Sequence, residues 1–315
     1  MNIMQKFIQY SQSKNHSQAT QEAYLRYVNL FLEWIDKEPI NTTKKDVLKY
    51  LGYLKDRKGQ QNLTRKHNLI AINHYFTFLY KSEQITENPC LFLKIRGTQK
   101  KTLYKIYSPE ELEQLYDNYY QLFVRAYDDS HIPKNQRQQS ALSKERNASI
   151  LSIMLNQGTT TKEVDTILLQ DIDLQKATLK IRGGKKSNER ILPLKAEQIG
   201  LLMNYLQNLR SKLLEYHTKE NEYLFLPLPE FSKKDTDNET LMHVFKPLTK
   251  QVKSLDKHFL NFKQVRASII THWIQTEGLR KAQYKAGHRY ISSTENYLHN
   301  DLQGLTDDIN KLHPF

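Results

Sequence analysis

The sequence predicts a mainly α-helical protein with one small β-hairpin. A helical first domain spans residues 1–95, a linker spans 96–107, and a second domain of helices plus the hairpin spans 108–315. Three observations predict this. Apolar residues recur at helical spacing through most of the chain. Asn88-Pro89 interrupts that pattern, and the basic, aperiodic stretch RGTQKKTLYKIY (96–107) follows it. Two short β-type runs flank a Gly-Gly-Lys-Lys-Ser-Asn turn inside an otherwise helical second half.

Each element has a local reason. Residues 1–13 suit a short amphipathic helix. A second helix runs from about Ser17 to Asp36, with Tyr24, Val28, Phe31, Leu32 and Ile35 at helical spacing. Thr42 and Thr43 are N-cap candidates for a third, TKKDVLKYLGYLKDRK, which Gly59 ends. A fourth runs from about Thr64 to Ser82 on the stripe Leu69, Ile72, Phe76 and Leu79. Ser108-Pro109-Glu110-Glu111 opens the second domain with an N-cap, a proline at the first helical position and acids in the first turn. Ala177–Ile181 and Ile191–Leu194 form the hairpin, a helix resumes over Ala196–Tyr216, residues 229–239 are an exposed loop, and Leu305–Leu312 form a last helix.

Composition narrows the function classes. The chain has 315 residues and one cysteine, Cys90, so no disulfide framework exists. No apolar run reaches the roughly 18 residues that a membrane span needs. The N-terminus lacks the apolar core and small-residue cleavage site of a signal peptide. These features predict a soluble protein of the reducing cytoplasm, with no membrane partner. The net charge is +13, and residues 1–107 hold 18 Lys and Arg against 8 Asp and Glu. Such lopsided charge suits a polyanion partner, DNA or RNA, because neutralising phosphates releases counterions; solubility alone is the other reading. The eleven His show no metal-ligand spacing, and no Gly-rich phosphate loop occurs, so neither metal nor cofactor is expected.

Four segments of the second half carry candidate chemistry. LRKAQYKAGHRYISSTENYLHNDL sets Gly287-His288 nine residues before Tyr297. FKQVRASIITHWI contains Lys263-x-x-Arg266. IRGGKKSNERILPL contains Lys185 and Lys186, then Glu189-Arg190 and Pro193-Leu194. LNQGTTTKEVDTILLQDIDL contains Gly158, Thr160 and Glu163. In this order and spacing they resemble the catalytic domain of the tyrosine recombinases, the phage-integrase and Xer-type family. The first domain resembles that family's core-binding domain, from Ser17, Thr20 and Tyr24 to Asn88-Pro89.

The resemblance implies a two-domain clamp around duplex DNA that cuts and rejoins strands through a 3′-phosphotyrosyl intermediate. Tyr297 is then the nucleophile. A phenol suits the task, since its ester is a good enough leaving group for rejoining to reverse the cut without ATP. His288 hydrogen-bonds the transition state, and Arg266 clamps the scissile phosphate with its guanidinium fork. Lys185 falls on the family's catalytic lysine, a general acid for the departing 5′ oxygen, with Lys186 its rival by one residue. Lys263 stands where the family usually has His and can donate to a phosphate oxygen. Tyr290 fits no family position and is expected to be structural.

One departure stands out. The family's first box reads Gly-Leu-Arg-x-x-Glu; Gly158 and Glu163 match, but the arginine position is Thr160. In this the chain is similar to integrases of conjugative transposons that also lack that arginine. Lys162 or Arg146 can fill the gap, the enzyme can be slow, or the chain can be a catalytically impaired relative that occupies sites without cutting. A type IB topoisomerase is a further alternative, against which the small helical first domain argues. In the first domain, Lys44 and Lys45 at one helix start and Thr64, Arg65, Lys66 and Asn68 at another are the DNA-binding candidates; a solvated basic face is the plain alternative. The resemblance further implies a homo-tetramer on double-stranded attachment sites, with DNA-bending accessory proteins, and a C-terminal segment docking on a neighbouring subunit.

Overall fold

The computed structural model describes residues 2–97, 105–185, 187–217, 221–228 and 240–298. The chain forms two compact units, Met1–Thr102 and Leu103–Phe315. The expected loop 229–239 and helix 305–312 lie outside the described residues, as does Lys186.

The first unit contains α1 (Ile3–Ser13), α2 (Gln18–Ile35), α3 (Lys44–Asp56) and α4 (Asn62–Lys81). Side-chain caps fix where three of them begin. Asn2 and Gln5 form a capping box on α1, the Ser17 hydroxyl accepts from the Thr20 amide on α2, and Thr43 with Asp46 forms a capping box on α3. Phe7, Val28, Phe31, Val47, Ile72, Tyr75, Phe76 and Leu79 make the core. Its rings meet edge to face, Phe31 with Phe76 at 6.0 Å and Phe7 with Tyr75 at 5.2 Å between centroids. Asn88 tethers the break after α4 by donating from Nδ2 to Asn73 Oδ1 on that helix.

The second unit runs α5 (Pro109–Tyr120), α6 (Lys134–Gln157), α7 (Thr161–Asp165), β1 (Ile172–Asp173), β2 (Thr178–Ile181), β3 (Arg190–Pro193), α8 (Ala196–Asn204), α9 (Arg210–Leu214), α10 (Met242–Leu255), α11 (Phe262–Glu277), α12 (Leu279–Ala286) and α13 (Ile291–Glu295). Helix α6 and helix α11 supply the centre of its core, with Ile150, Leu151, Met154, Val265 and Ile270 fully or nearly fully buried. The hairpin β2–β3 is antiparallel, with Ile181 opposite Arg190 and Thr178 opposite Pro193. A further strand, β1, pairs with β2. Two residues carry no readable alternation, so this strand left no sequence signal.

Two expectations shift. The helix expected over Ala196–Tyr216 is interrupted by a wider π-type turn at Tyr205–Leu209, where the buried Tyr205 hydroxyl donates to the Leu224 carbonyl. The stretch read as a linker to 107 ends inside the second core. Tyr107 is buried, its amide donates to Ser268 Oγ at 2.9 Å, and its hydroxyl donates to Asp256 at 2.7 Å. A basic, aperiodic string hides such an anchor, because a single buried aromatic has no period.

The only two tryptophans, Trp34 and Trp273, fall one in each unit. In a Trp273→Phe background, Trp34 fluorescence therefore follows the first unit. There, Phe76→Ala should lower unfolding stability by about 3–5 kcal/mol, as for other fully buried aromatics. A loss below about 1 kcal/mol in denaturant titrations would contradict the described packing of α4.

Candidate active site

Helix α11 begins at Asn261, whose side chain accepts from the Lys263 amide at 3.0 Å. One turn later Arg266 turns inward, and its side chain is 11% exposed. Burial lowers its basicity, yet its surroundings are built for a cation. Nη1 donates to the Gly158 carbonyl at 2.5 Å and Nη2 to the Ala286 carbonyl at 2.6 Å. Gly158 caps α6, and Ala286 is the last residue of α12. The guanidinium thus sits where two helices end with unsatisfied, partially negative carbonyls. Gly158 has φ +57°, and a Cβ there would meet Ile269 at 3.2 Å, so a side chain at this turn would be strained and crowded.

Gly287 ends α12 in the left-handed region, with φ +68°. The chain then reverses and presents His288. Its Nε2 lies 3.4 Å from Arg266 Nη2, and its Nδ1 lies 2.9 Å from Thr294 Oγ1. A guanidinium can only donate, so Nε2 accepts and the ring proton is assigned to Nδ1. Burial, then the nearby Arg266 and Arg190, push the imidazole down to about 4. Tyr297 follows α13, and its ring stacks on His288 with centroids 5.7 Å apart and planes at 16°. The Tyr297 phenol is near enough to Arg266 for its charge to favour the guanidinium. Guanidinium, neutral imidazole and phenol therefore meet in one cluster.

The hairpin closes against this cluster through its backbone. The Asn188 amide donates to the Gly287 carbonyl at 2.9 Å, and Ser187 pairs with His288 as an isolated bridge. Lys185 is exposed in the Gly184–Ser187 turn, next to that bridge. Glu163 Oε1 accepts from Arg190 Nη1 at 2.7 Å, and Glu163 Oε2 accepts from the Thr160 amide at 2.7 Å. Thr160 is the N-cap of α7: its hydroxyl accepts from the Glu163 amide at 3.2 Å. Thr160 and Glu163 thus cap α7 reciprocally.

The other named residues distribute as follows. Lys263 is exposed in the first turn of α11. Lys162 is exposed on α7, and Arg146 is buried on α6 with its donors committed to Asn147 Oδ1 and the Leu226 carbonyl. Arg146 is thus tied into the core of the second unit. Tyr290 is 68% exposed. In the first unit Lys44, Lys45 and Lys66 are exposed, Thr64 is half-buried, and Arg65 donates to the Leu51 carbonyl and to Asn62 Oδ1. Asn68 corrects an expectation. It is buried and donates to the Thr64 carbonyl and to Gln60 Oε1, so it faces the core and cannot read a base edge. Sequence reasoning did not assign Arg190 or Thr294 to the site. Arg190 had a signal: along β3 it shares the inward face with Leu192, two residues away.

Residues 130–303 match the phage integrase family, and residues 3–86 match the N-terminal SAM-like domain of phage integrases. This chain belongs to the phage integrase family. It is 28% identical over 316 aligned residues to the tyrosine recombinase XerC of Oceanobacillus iheyensis, covering 98% of this chain and 94% of that one. Among solved structures, the site-specific recombinase XerH bound to palindromic difH in a post-cleavage complex matches with a TM-score of 0.70 and 19% identity, over 94% of this chain and 81% of that one. The Tn1549 transposon integrase with a circular-intermediate DNA matches with a TM-score of 0.63 and 14% identity, over 99% of each chain. These structural likenesses speak for the two-part phage-integrase fold. Among the described residues no helix is long and apolar enough to cross a membrane, and no cluster of His, Cys, Asp and Glu could hold a metal ion.

The depressed basicity of His288 has a measurable sign. Between pH of about 6.5 and 4 the unfolded chain binds a proton at this imidazole that the folded chain refuses. This residue therefore favours folding above that window and costs stability as pH falls through it. NMR of the imidazole signals should show His288 titrating near 4; a midpoint at about 6 or above, the ordinary histidine range, would contradict its packing against Arg266 and Tyr297.

Proposed function

We propose that this phage integrase family member is a site-specific recombinase that cuts and rejoins duplex DNA, with Tyr297 as nucleophile. The observation that carries this reading is the convergence of the Tyr297 phenol, the Arg266 guanidinium and the neutral His288 in one cluster. A protein that only occupied sites would need no such grouping. The names of its relatives, tyrosine recombinases and a transposon integrase, point the same way.

In the cutting step the Tyr297 oxygen bonds to phosphorus and the bond from phosphorus to the 5′ oxygen breaks. The phenol gives its proton to solvent water, and the 5′ oxygen gains one from the Lys185 ammonium, which solvent then reprotonates. Arg266 holds two phosphate oxygens with its fork, and His288 donates to a nonbridging oxygen from Nε2. That donation needs the other tautomer, and Thr294 permits it, since its hydroxyl can donate to Nδ1 as readily as accept from it. Lys263 adds a mobile cation at the start of α11. Rejoining runs the same exchange backwards with a new 5′ hydroxyl. One ester replaces another, so no external energy is required.

Because Thr160 serves as a helix cap, the site lacks one clamping donor, and cleavage is slow by a factor of about 10²–10³ relative to a site that has it. Lys44, Lys45, Thr64, Arg65 and Lys66 hold the DNA backbone from the first unit. The working assembly is a homo-tetramer on paired attachment sites, assisted by DNA-bending proteins.

Two experiments test this. The first uses a nicked suicide duplex carrying a DNA site that the protein is shown to bind. The full chain should become covalently attached to it, and Tyr297→Phe should not; an adduct that survives this substitution would remove Tyr297 from the reaction. The second follows binding against salt. The double variant Lys44→Ala/Lys45→Ala should lower the slope of log K against log salt by about 2, one per lost phosphate contact. An unchanged slope would take both lysines off the DNA.

A further inference from the structure

Arg190 is the largest fully buried side chain of the described residues, and its side chain is 0% exposed. A buried guanidinium requires compensation. Arg190 has one ion pair, to Glu163 Oε1 at 2.7 Å, while its Nε and Nη2 have no hydrogen-bond partner among the described residues. Its Nη1 lies only 2.6 Å from where a Cβ on Gly287 would stand, so the turn that presents His288 is packed directly on it. The other oxygen of Glu163 is 3.8 Å from Arg266 Nη1. Two guanidinium groups thus flank one carboxylate. With His288 neutral, the buried group carries a net charge of about +1.

We propose that Arg190 is a positioning residue that keeps the phosphate site cationic: by taking up Glu163, it leaves the charge of Arg266 for the DNA. This rests on the reading of Tyr297 and Arg266 given above. Without Arg190, Glu163 is an unpaired buried carboxylate whose nearest cation is Arg266, and the pair neutralises itself. Arg190 does not touch the DNA, because its nitrogens are sealed from solvent. It acts through Glu163, Arg266 and His288, and it restores from strand β3 a positive charge that Thr160 does not supply. The groups facing His288 are Arg266 from α11, Arg190 from β3, Glu163 from α7 and the Tyr297 ring; Arg266 and Arg190 both hold its basicity down.

The test compares four full-length proteins on the nicked suicide duplex: wild type, Arg190→Gln, Arg190→Lys and Arg190→Gln/Glu163→Gln. Their buried net charges are about +1, 0, +1 and +1 in that order. The rate of covalent adduct formation should fall about 100-fold in Arg190→Gln, the scale of losing one preorganised donor. It should recover to within about 10-fold of wild type in Arg190→Lys and in the double variant, because both restore the charge. A structural role for Arg190 alone predicts instead that the double variant stays as slow as Arg190→Gln. A folded, DNA-binding double variant that does so overturns the proposal, as does a wild-type rate in Arg190→Gln. The His288 titration midpoint, read by NMR without DNA, should rise in Arg190→Gln and return in the other two variants; an unmoved midpoint also overturns the proposal. Absence of adduct in wild type would instead count against the strand-cutting reading, and the titration would then decide the role of Arg190.

Discussion

The catalytic unit depends on how one buried cation is satisfied. Arg266 lies against the carbonyls of Gly158 and Ala286, at the ends of α6 and α12. Both helices stop in a left-handed glycine, Gly158 at one and Gly287 after the other. Those glycines aim the final carbonyls inward and turn the chain at once, so that α7 and the His288 segment start beside the same guanidinium. The same two turns satisfy Arg266 and bring His288 beside it.

A second layer of charge sits around that anchor. Glu163 would be a liability next to a phosphate, but it is held by Arg190 and by the amide of Thr160. His288 stays neutral between two guanidinium groups, and Thr294 lets its proton reside on either nitrogen. Thr160 is locally consistent, since it starts α7 as a good cap.

The first unit follows a different logic. Its core is a nest of aromatic and aliphatic side chains, and its helix starts carry exposed lysines next to efficient caps. Thr43 and Asp46 fix the start of α3, which leaves Lys44 and Lys45 on its first turn facing solvent. Burial of Asn68 separates two kinds of polar residue on α4: those that tie the helix to its neighbours and those available to a partner.

Much was legible in the sequence. Helical periodicity, the caps at Ser17, Thr43 and Ser108, the Asn88-Pro89 break and the hairpin are local properties, set by backbone sterics and by side-chain hydrogen bonds spanning three or four residues. The spacing from Gly287-His288 to Tyr297 is equally local, and the stacking of those two rings follows from it. The anchoring of Tyr107, the strand β1, the burial of Asn68 and the pairing of Arg190 with Glu163 were decided only by tertiary structure. Each joins groups that are distant along the chain or depends on which face a neighbouring element covers. Long-range charge compensation leaves no period in a sequence, because what selects the partner is the shared low-dielectric space and not the number of residues between.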